Sequence, residues 1–164
     1  MAIAAGPGSG IYPWAVQIHE IMTTAVITAS PDTPAHAVAA LMRDHNVGSV
    51  VLVDQTGRPV GMVTDRDLTV DILAERADSA TPAEACATTP VVTGDHDMDL
   101  EEAAALMVGH RIRRLPVMNG EALAGIVTLD DIAVRTGNLE IAQQMTSDVA
   151  RAVFPDFYFH QRGG

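Results

Sequence analysis

Gly61-Met62-Val63-Thr64-Asp65-Arg66-Asp67 returns 64 positions later as Gly125-Ile126-Val127-Thr128-Leu129-Asp130-Asp131, and this pair of heptapeptides decides how the chain is read. Upstream, Val26-Ile27-Thr28 matches Val91-Val92-Thr93, Leu41-Met42 matches Leu106-Met107 and His45 matches His110, all at an offset of 65. The lost residue falls where Gly57-Arg58-Pro59 is answered by Asn119-Gly120, a turn in both copies, and turns absorb deletions most easily. Two copies of one supersecondary unit are present, so any chemistry is expected in two related versions.

Each copy reads strand, helix, strand, strand, helix. Val26 to Thr28 is a short β-branched run, after which Ser30-Pro31-Asp32-Thr33-Pro34 is expected to turn the chain and cap a helix striped by Ala37, Val38, Leu41 and Met42. Val50 to Val53 and Val60 to Thr64 read as a hairpin, and Asp65 onward returns to helical spacing through Leu68, Ile72 and Leu73. The second copy gives a strand at Val91 to Thr93, a helix from about Asp99 to Val108, strands at Leu115 to Met118 and Leu123 to Thr128, and a helix from about Leu129. Short helical lead-ins, Val16 to Met22 and Pro82 to Cys86, precede the first strands. A unit of about 60 residues is near the lower limit for a sufficient core, so the two are expected to fold as one pseudo-symmetric body.

This order of elements and the paired Gly-x-x-Thr-x-x-Asp endings resemble a tandem pair of CBS domains, a regulatory module. The resemblance spans roughly residues 16 to 140, with an N-terminal extension at 1–15, repeats at 16–78 and 79–140, and a C-terminal helix and aromatic tail at 141–164. It implies an α/β fold of two β-α-β-β-α repeats with pseudo-two-fold symmetry. It also implies two clefts between the repeats, where adenosine-containing ligands such as AMP, ADP, ATP or S-adenosylmethionine are the usual occupants.

Two jobs compete for Thr64 and Asp67. Thr64 stands where a strand hands over to a helix, and Thr-x-x-Asp is close to a capping box. The same helix start offers unpaired N–H groups to a phosphate, and its carboxylate can accept from a ribose diol, while Gly61 permits a close approach. The resemblance assigns ligand contacts of this kind to Thr64, Asp67, Thr128 and Asp131. It extends the expected site to Thr24, Val26, Ser49, Val51, Gly61 and Arg66 in the first repeat, and to Thr89, Val91, Arg114, Pro116, Gly125 and Asp130 in the second.

The flanks make the two sites unequal. Arg66 in the first motif can meet a phosphate, whereas its equivalent, Asp130, would repel one. Upstream the bias reverses: His110-Arg111-Ile112-Arg113-Arg114 answers His45-Asn46-Val47-Gly48-Ser49, which holds no arginine. The cluster is either a solvated edge or a phosphate grip, with Arg114, directly before a strand, the better candidate for the latter.

Composition bounds the partners. Ten Lys and Arg against twenty-one Asp and Glu give a net charge of −11, which argues against nucleic acid. The longest apolar runs are strand-length, and the N-terminus lacks the basic and continuous apolar regions of a secretory signal, so no membrane span and a cytoplasmic address are expected. Cys86 is the only cysteine and reads as a small half-buried side chain. Tyr12, Trp14, Phe154, Phe157, Tyr158 and Phe159 all lie outside the repeats; they form either a clasp or a subunit interface, and a bound adenine is left to aliphatic side chains and backbone.

No catalytic motif is present, and the six histidines show no ligand spacing, so neither an enzyme nor a metal site is expected. His45 and His110 read as helix C-terminal cations. The expected function is a stand-alone, non-catalytic sensor with no obligatory cofactor, taking an adenine nucleotide or S-adenosylmethionine and signalling through a homodimer or a separate effector protein. The alternatives are a ligand-free interaction module, in which the Thr and Asp residues are only caps, and a metal-responsive stress protein using Cys86.

Overall fold

The computed structural model describes residues 16–135 together with 143, 147 and 148. Two three-stranded sheets of the same topology form its frame. In the first, β1 (Thr28–Ala29) runs parallel to β2 (Ser49–Val53), which is antiparallel to β3 (Pro59–Thr64). A parallel pair needs a crossover, supplied by helix α2 (Ala35–His45). The second sheet repeats this with β4 (Gly94–Asp95), β5 (Arg114–Asn119) and β6 (Ala122–Thr128), crossed over by α4 (Leu100–His110). After β3 comes the single turn α3 (Asp65–Asp67), running directly into a π-helical stretch at Leu68–Ala74; after β6 comes α5 (Leu129–Arg135). His45 and His110 are the last residues of α2 and α4, each followed by a left-handed residue, Asn46 and Arg111.

The lead-in segments cross over between the repeats. Helix α1 (Ile18–Ile21) precedes the first repeat, yet Ile18 and Ile21 are buried in the second core with Leu100, Met107, Leu115, Val117, Val127 and Ile132. A 3-10 turn at Ala83–Ala85 precedes the second repeat and closes the first core, where Ala83 and Cys86 meet Val38, Met42, Val50, Leu52 and Val63. Matched backbone bonds fix both crossings: Ile18 N–H donates to Met98 O at 2.9 Å and Ala83 N–H to Thr33 O at 2.8 Å. Neither core is complete without the other half's segment, which is why two repeats of marginal size make one body.

Three expectations need correction. The sequence pattern puts the first strands at Val26–Thr28 and Val91–Thr93, but the paired residues are Thr28–Ala29 and Gly94–Asp95. A β-branched run has strand propensity, yet a strand exists only where a partner ladder reaches, and with β2 and β5 the pairing begins two and three residues later. The turn at Ser30–Pro34 does not supply a side-chain cap to α2, whose N-cap is Pro34. Backbone carbonyls of the inter-repeat linker take the free N–H groups instead: Thr81 O accepts from Ala35 at 2.8 Å and Ser79 O from His36 at 3.0 Å. Finally, Leu73 does not join the apolar face: it is 74% exposed, while Leu68 and Ile72 pack against the first core.

Among the described residues no helix is long and apolar enough to cross a membrane. The six aromatic residues lie outside the described residues.

Candidate functional site

Both Thr-x-x-Asp motifs fold as capping boxes at a strand-to-helix junction. Asp67 Oδ2 accepts from Thr64 N–H at 2.7 Å and from Thr64 Oγ1 at 2.7 Å, while Asp67 N–H donates back to Thr64 Oγ1 at 3.3 Å. Thr128 and Asp131 repeat this, at 2.8, 2.7 and 3.1 Å. In each box a single carboxylate oxygen, Oδ2, takes both threonine bonds. For Asp67 the other oxygen accepts no hydrogen bond among the described residues.

The second motif opens on a cleft of about 260 Å³ between the repeats. One wall is the segment entering β1 (Thr23, Ala25, Val26, Ile27), continued by Val47, Gly48, Ser49 and Val51. The other is formed by Arg114 at the start of β5, Ile126 and Thr128 on β6, and Asp131 on α5. Its lining is therefore aliphatic, with one cation, one carboxylate and three hydroxyls. Gly48 makes the room for the cation: a Cβ there would stand 2.9 Å from Arg114 Nη2. The same Cβ would lie 3.5 Å from Asp65 Oδ2, yet Arg114 has no ion pair within 4.0 Å among the described residues.

Of the residues singled out from sequence, Val26, Ser49, Val51, Arg114, Thr128 and Asp131 converge on this cleft. The remaining ones lie elsewhere. Thr24, Arg66, Thr89 and Asp130 are exposed; Pro116 is buried in β5; Thr64, Asp67 and Val91 are half-buried outside the cleft lining. The space beside Gly61 is occupied by Ala87 and Leu52, and that beside Gly125 by Met22 and the Thr23 carbonyl. Both glycines thus lie where a crossing lead-in passes over a strand: Met62 exchanges backbone bonds with Thr88, and Ile126 with Thr23. The repeat offset equates Gly48 with Arg113 and Ser49 with Arg114, so the equivalent wall of the second repeat carries two arginines where the first carries two small residues.

Sequence reading missed Thr23, Ala25, Ile27, Val47, Gly48 and Ile126. The signal available for Gly48 was its mismatch with Arg113 in an otherwise repeated register. Cys86 is buried, with its thiol donating to Ala83 O at 3.4 Å, and burial pushes its pKa up, helped by the Asp67 and Asp71 carboxylates. Such a thiol is a packing group. The expectation that the histidines are dispersed also needs amending: His19 and His96, 77 positions apart, stack face to face with ring centroids 4.3 Å apart.

A family model described as CBS domain matches residues 18–73 and again 83–135. The CBS domain-containing protein YhcV of Bacillus subtilis is 39% identical over 133 residues, covering 81% of this chain and 94% of that protein. Hypoxic response protein 1 of Mycobacterium tuberculosis is 34% identical over 116 residues, 70% of this chain and 80% of the relative. A crystal structure of Hypoxic Response Protein I with two coordinated zinc ions superposes with a TM-score of 0.66 at 32% identity, covering 72% of this chain and 97% of that one. A CBS domain protein from Pyrobaculum aerophilum, complexed with AMP, shares the fold at a TM-score of 0.69 and 24% identity, covering 80% and 99%.

Proposed function

The chain belongs to the CBS-domain family, and from that premise we propose that it is a non-catalytic sensor whose inter-repeat cleft takes an adenosine-containing, phosphorylated ligand. One observation carries the reading. Arg114 enters a largely aliphatic cleft that it shares with Thr128 and Asp131, and it makes no ion pair among the described residues. A partly buried cation with no partner favours an anion, and an arginine–phosphate pair is charge-assisted. The aliphatic walls at Val26, Ile27, Val51 and Ile126 suit a purine face, and Asp131 stands where a ribose diol would donate. The AMP bound by the Pyrobaculum protein of the same fold agrees with this class of ligand. A cleft of about 260 Å³ lies just below the usual range for small-molecule sites, so a mononucleotide or S-adenosylmethionine fits the size better than a dinucleotide.

Occupancy is passed on through assembly, as a homodimer or with a separate effector. Val70 and Leu73, 44% and 74% exposed on the stretch after Asp67, give that surface its apolar character. The test is a thermal-shift series with AMP, ADP, ATP and S-adenosylmethionine. A ligand at one hundred times its Kd adds about 2.7 kcal/mol, of order 5–10 °C in Tm for a chain of this size. No shift with any of the four at millimolar concentration would favour a ligand-free interaction module.

A further inference from the structure

We propose that His19, His96 and Asp97 form a binding site for a borderline divalent transition metal of the zinc, cobalt or nickel kind. The site is separate from the nucleotide cleft and joins the two halves of the chain. His19 lies on α1, ahead of the first repeat, whereas His96 and Asp97 follow β4 in the second. The crossing of α1 onto the second core brings them together, each offering one ligand atom within 4.8 Å of the others.

The distances suit a metal. Donors around a tetrahedral zinc at about 2.0–2.2 Å stand roughly 3.3 Å apart. Here His96 Nδ1 is 2.8 Å and His19 Nδ1 3.7 Å from the same oxygen, Asp97 Oδ1. His19 Nδ1 also hydrogen-bonds to the backbone oxygen of His96 at 3.0 Å, a contact that a bound ion would replace. The two rings stack within 3° of parallel, so one must turn about its side-chain torsions for both nitrogens to face a common ion, while Gln17 Nε2 donates to Asp97 O at 3.1 Å and holds the acidic loop. The histidine side chains are about 30% exposed and Asp97 is 72% exposed, which leaves an entry path and room for water ligands. Two imidazoles and one carboxylate select zinc, cobalt, nickel or copper over magnesium or calcium.

The site has no twin. At the offset of 65, His19, His96 and Asp97 correspond to Glu84, Pro31 and Asp32, so the pseudo-two-fold supplies the scaffold twice and the imidazoles once. A bound ion would pin α1 to the loop after β4, clipping the first repeat's lead-in to the second repeat.

The test uses the full chain stripped with a chelator and titrated with Co²⁺, followed by visible absorption, and with Zn²⁺ by calorimetry. The expected result is one ion per chain. His19→Ala and His96→Ala should each weaken binding at least tenfold, and Asp97→Asn should weaken it also, while His36→Ala and His45→Ala leave it unchanged. Melting of the metal-free variants shows that they remain folded. A double His19→Ala/His96→Ala variant binding Co²⁺ and Zn²⁺ as tightly as the parent, or no binding at millimolar metal, overturns the proposal.

Discussion

Gly125→Ala tests the crossing of the lead-in over β6, because pseudo-symmetry provides its own control at Gly61. A Cβ at Gly125 would collide with Met22 Sδ and would stand 2.8 Å from Met22 Cγ and 3.0 Å from the Thr23 carbonyl oxygen. The thioether can swing aside. The carbonyl cannot, because Thr23 exchanges two 2.9 Å backbone bonds with Ile126. Overpacking of this kind costs about 1–3 kcal/mol, offset by about 0.4–1 kcal/mol for restricting the unfolded chain. The net loss is about 1–2 kcal/mol, or roughly 3–8 °C in Tm for a chain of this length. At Gly61 the nearest atoms are side-chain carbons of Ala87 at 3.1 Å and Leu52 at 3.3 Å, with no backbone among the closest three. There the strain and the entropy gain should cancel to within about 0.5 kcal/mol. Urea denaturation of both variants, monitored by far-UV circular dichroism, measures the difference. A Gly61→Ala loss equal to or larger than that of Gly125→Ala would refute the reasoning.

Other outcomes follow from the same contacts. Thr128→Ala removes a helix cap and should cost about 1 kcal/mol in the ligand-free protein, read from the urea midpoint. Ile18→Ala, at a fully buried position in the second core, should cost about 2–5 kcal/mol although it lies ahead of the first repeat; a loss below 1 kcal/mol would contradict the crossed lead-ins. Cys86 should resist alkylation at pH 8 in the native protein and react fully in urea, since burial raises its pKa. Keeping this thiol neutral contributes stability that is complete below the unfolded thiol's pKa of about 8.5 and is lost as pH rises through the higher folded value, so alkaline melts should show a decline that Cys86→Ala lessens. A 2′-deoxy nucleotide should bind about 1–3 kcal/mol more weakly than its ribose form if Asp131 receives the diol, and competition binding measures this.

Much of the architecture was legible because the two halves repeat. Strands β2, β3, β5 and β6 and helices α2 and α4 announce themselves through local periodicity, and the Thr–Asp boxes through a motif whose geometry is short-range. The bounds of the first strands escape sequence because β-branched propensity does not say where the β2 and β5 ladders reach; the start of α2 escapes it because its partners come from the other half, and no local pattern states which carbonyl of a distant linker will face Ala35. For the cleft, the chemistry-bearing Arg114, Thr128 and Asp131 were visible, whereas its aliphatic wall at Thr23–Ile27 is defined only by how β1 approaches β5 and β6. His19 and His96 could not be paired from spacing, since the contact depends on α1 crossing to the second core.

The central claim is that Arg114 grips the anion of an adenosine ligand in the cleft it shares with Thr128 and Asp131. Calorimetric titration of AMP, ADP and ATP into the parent chain, Arg114→Ala and Arg66→Ala tests it most directly. A charge-assisted bond is worth about 1.5–3 kcal/mol, so Arg114→Ala should weaken binding of the preferred nucleotide at least tenfold. Arg66, exposed and outside the cleft, should be replaceable with little loss. Undiminished affinity in Arg114→Ala, or a larger loss in Arg66→Ala, would contradict the account.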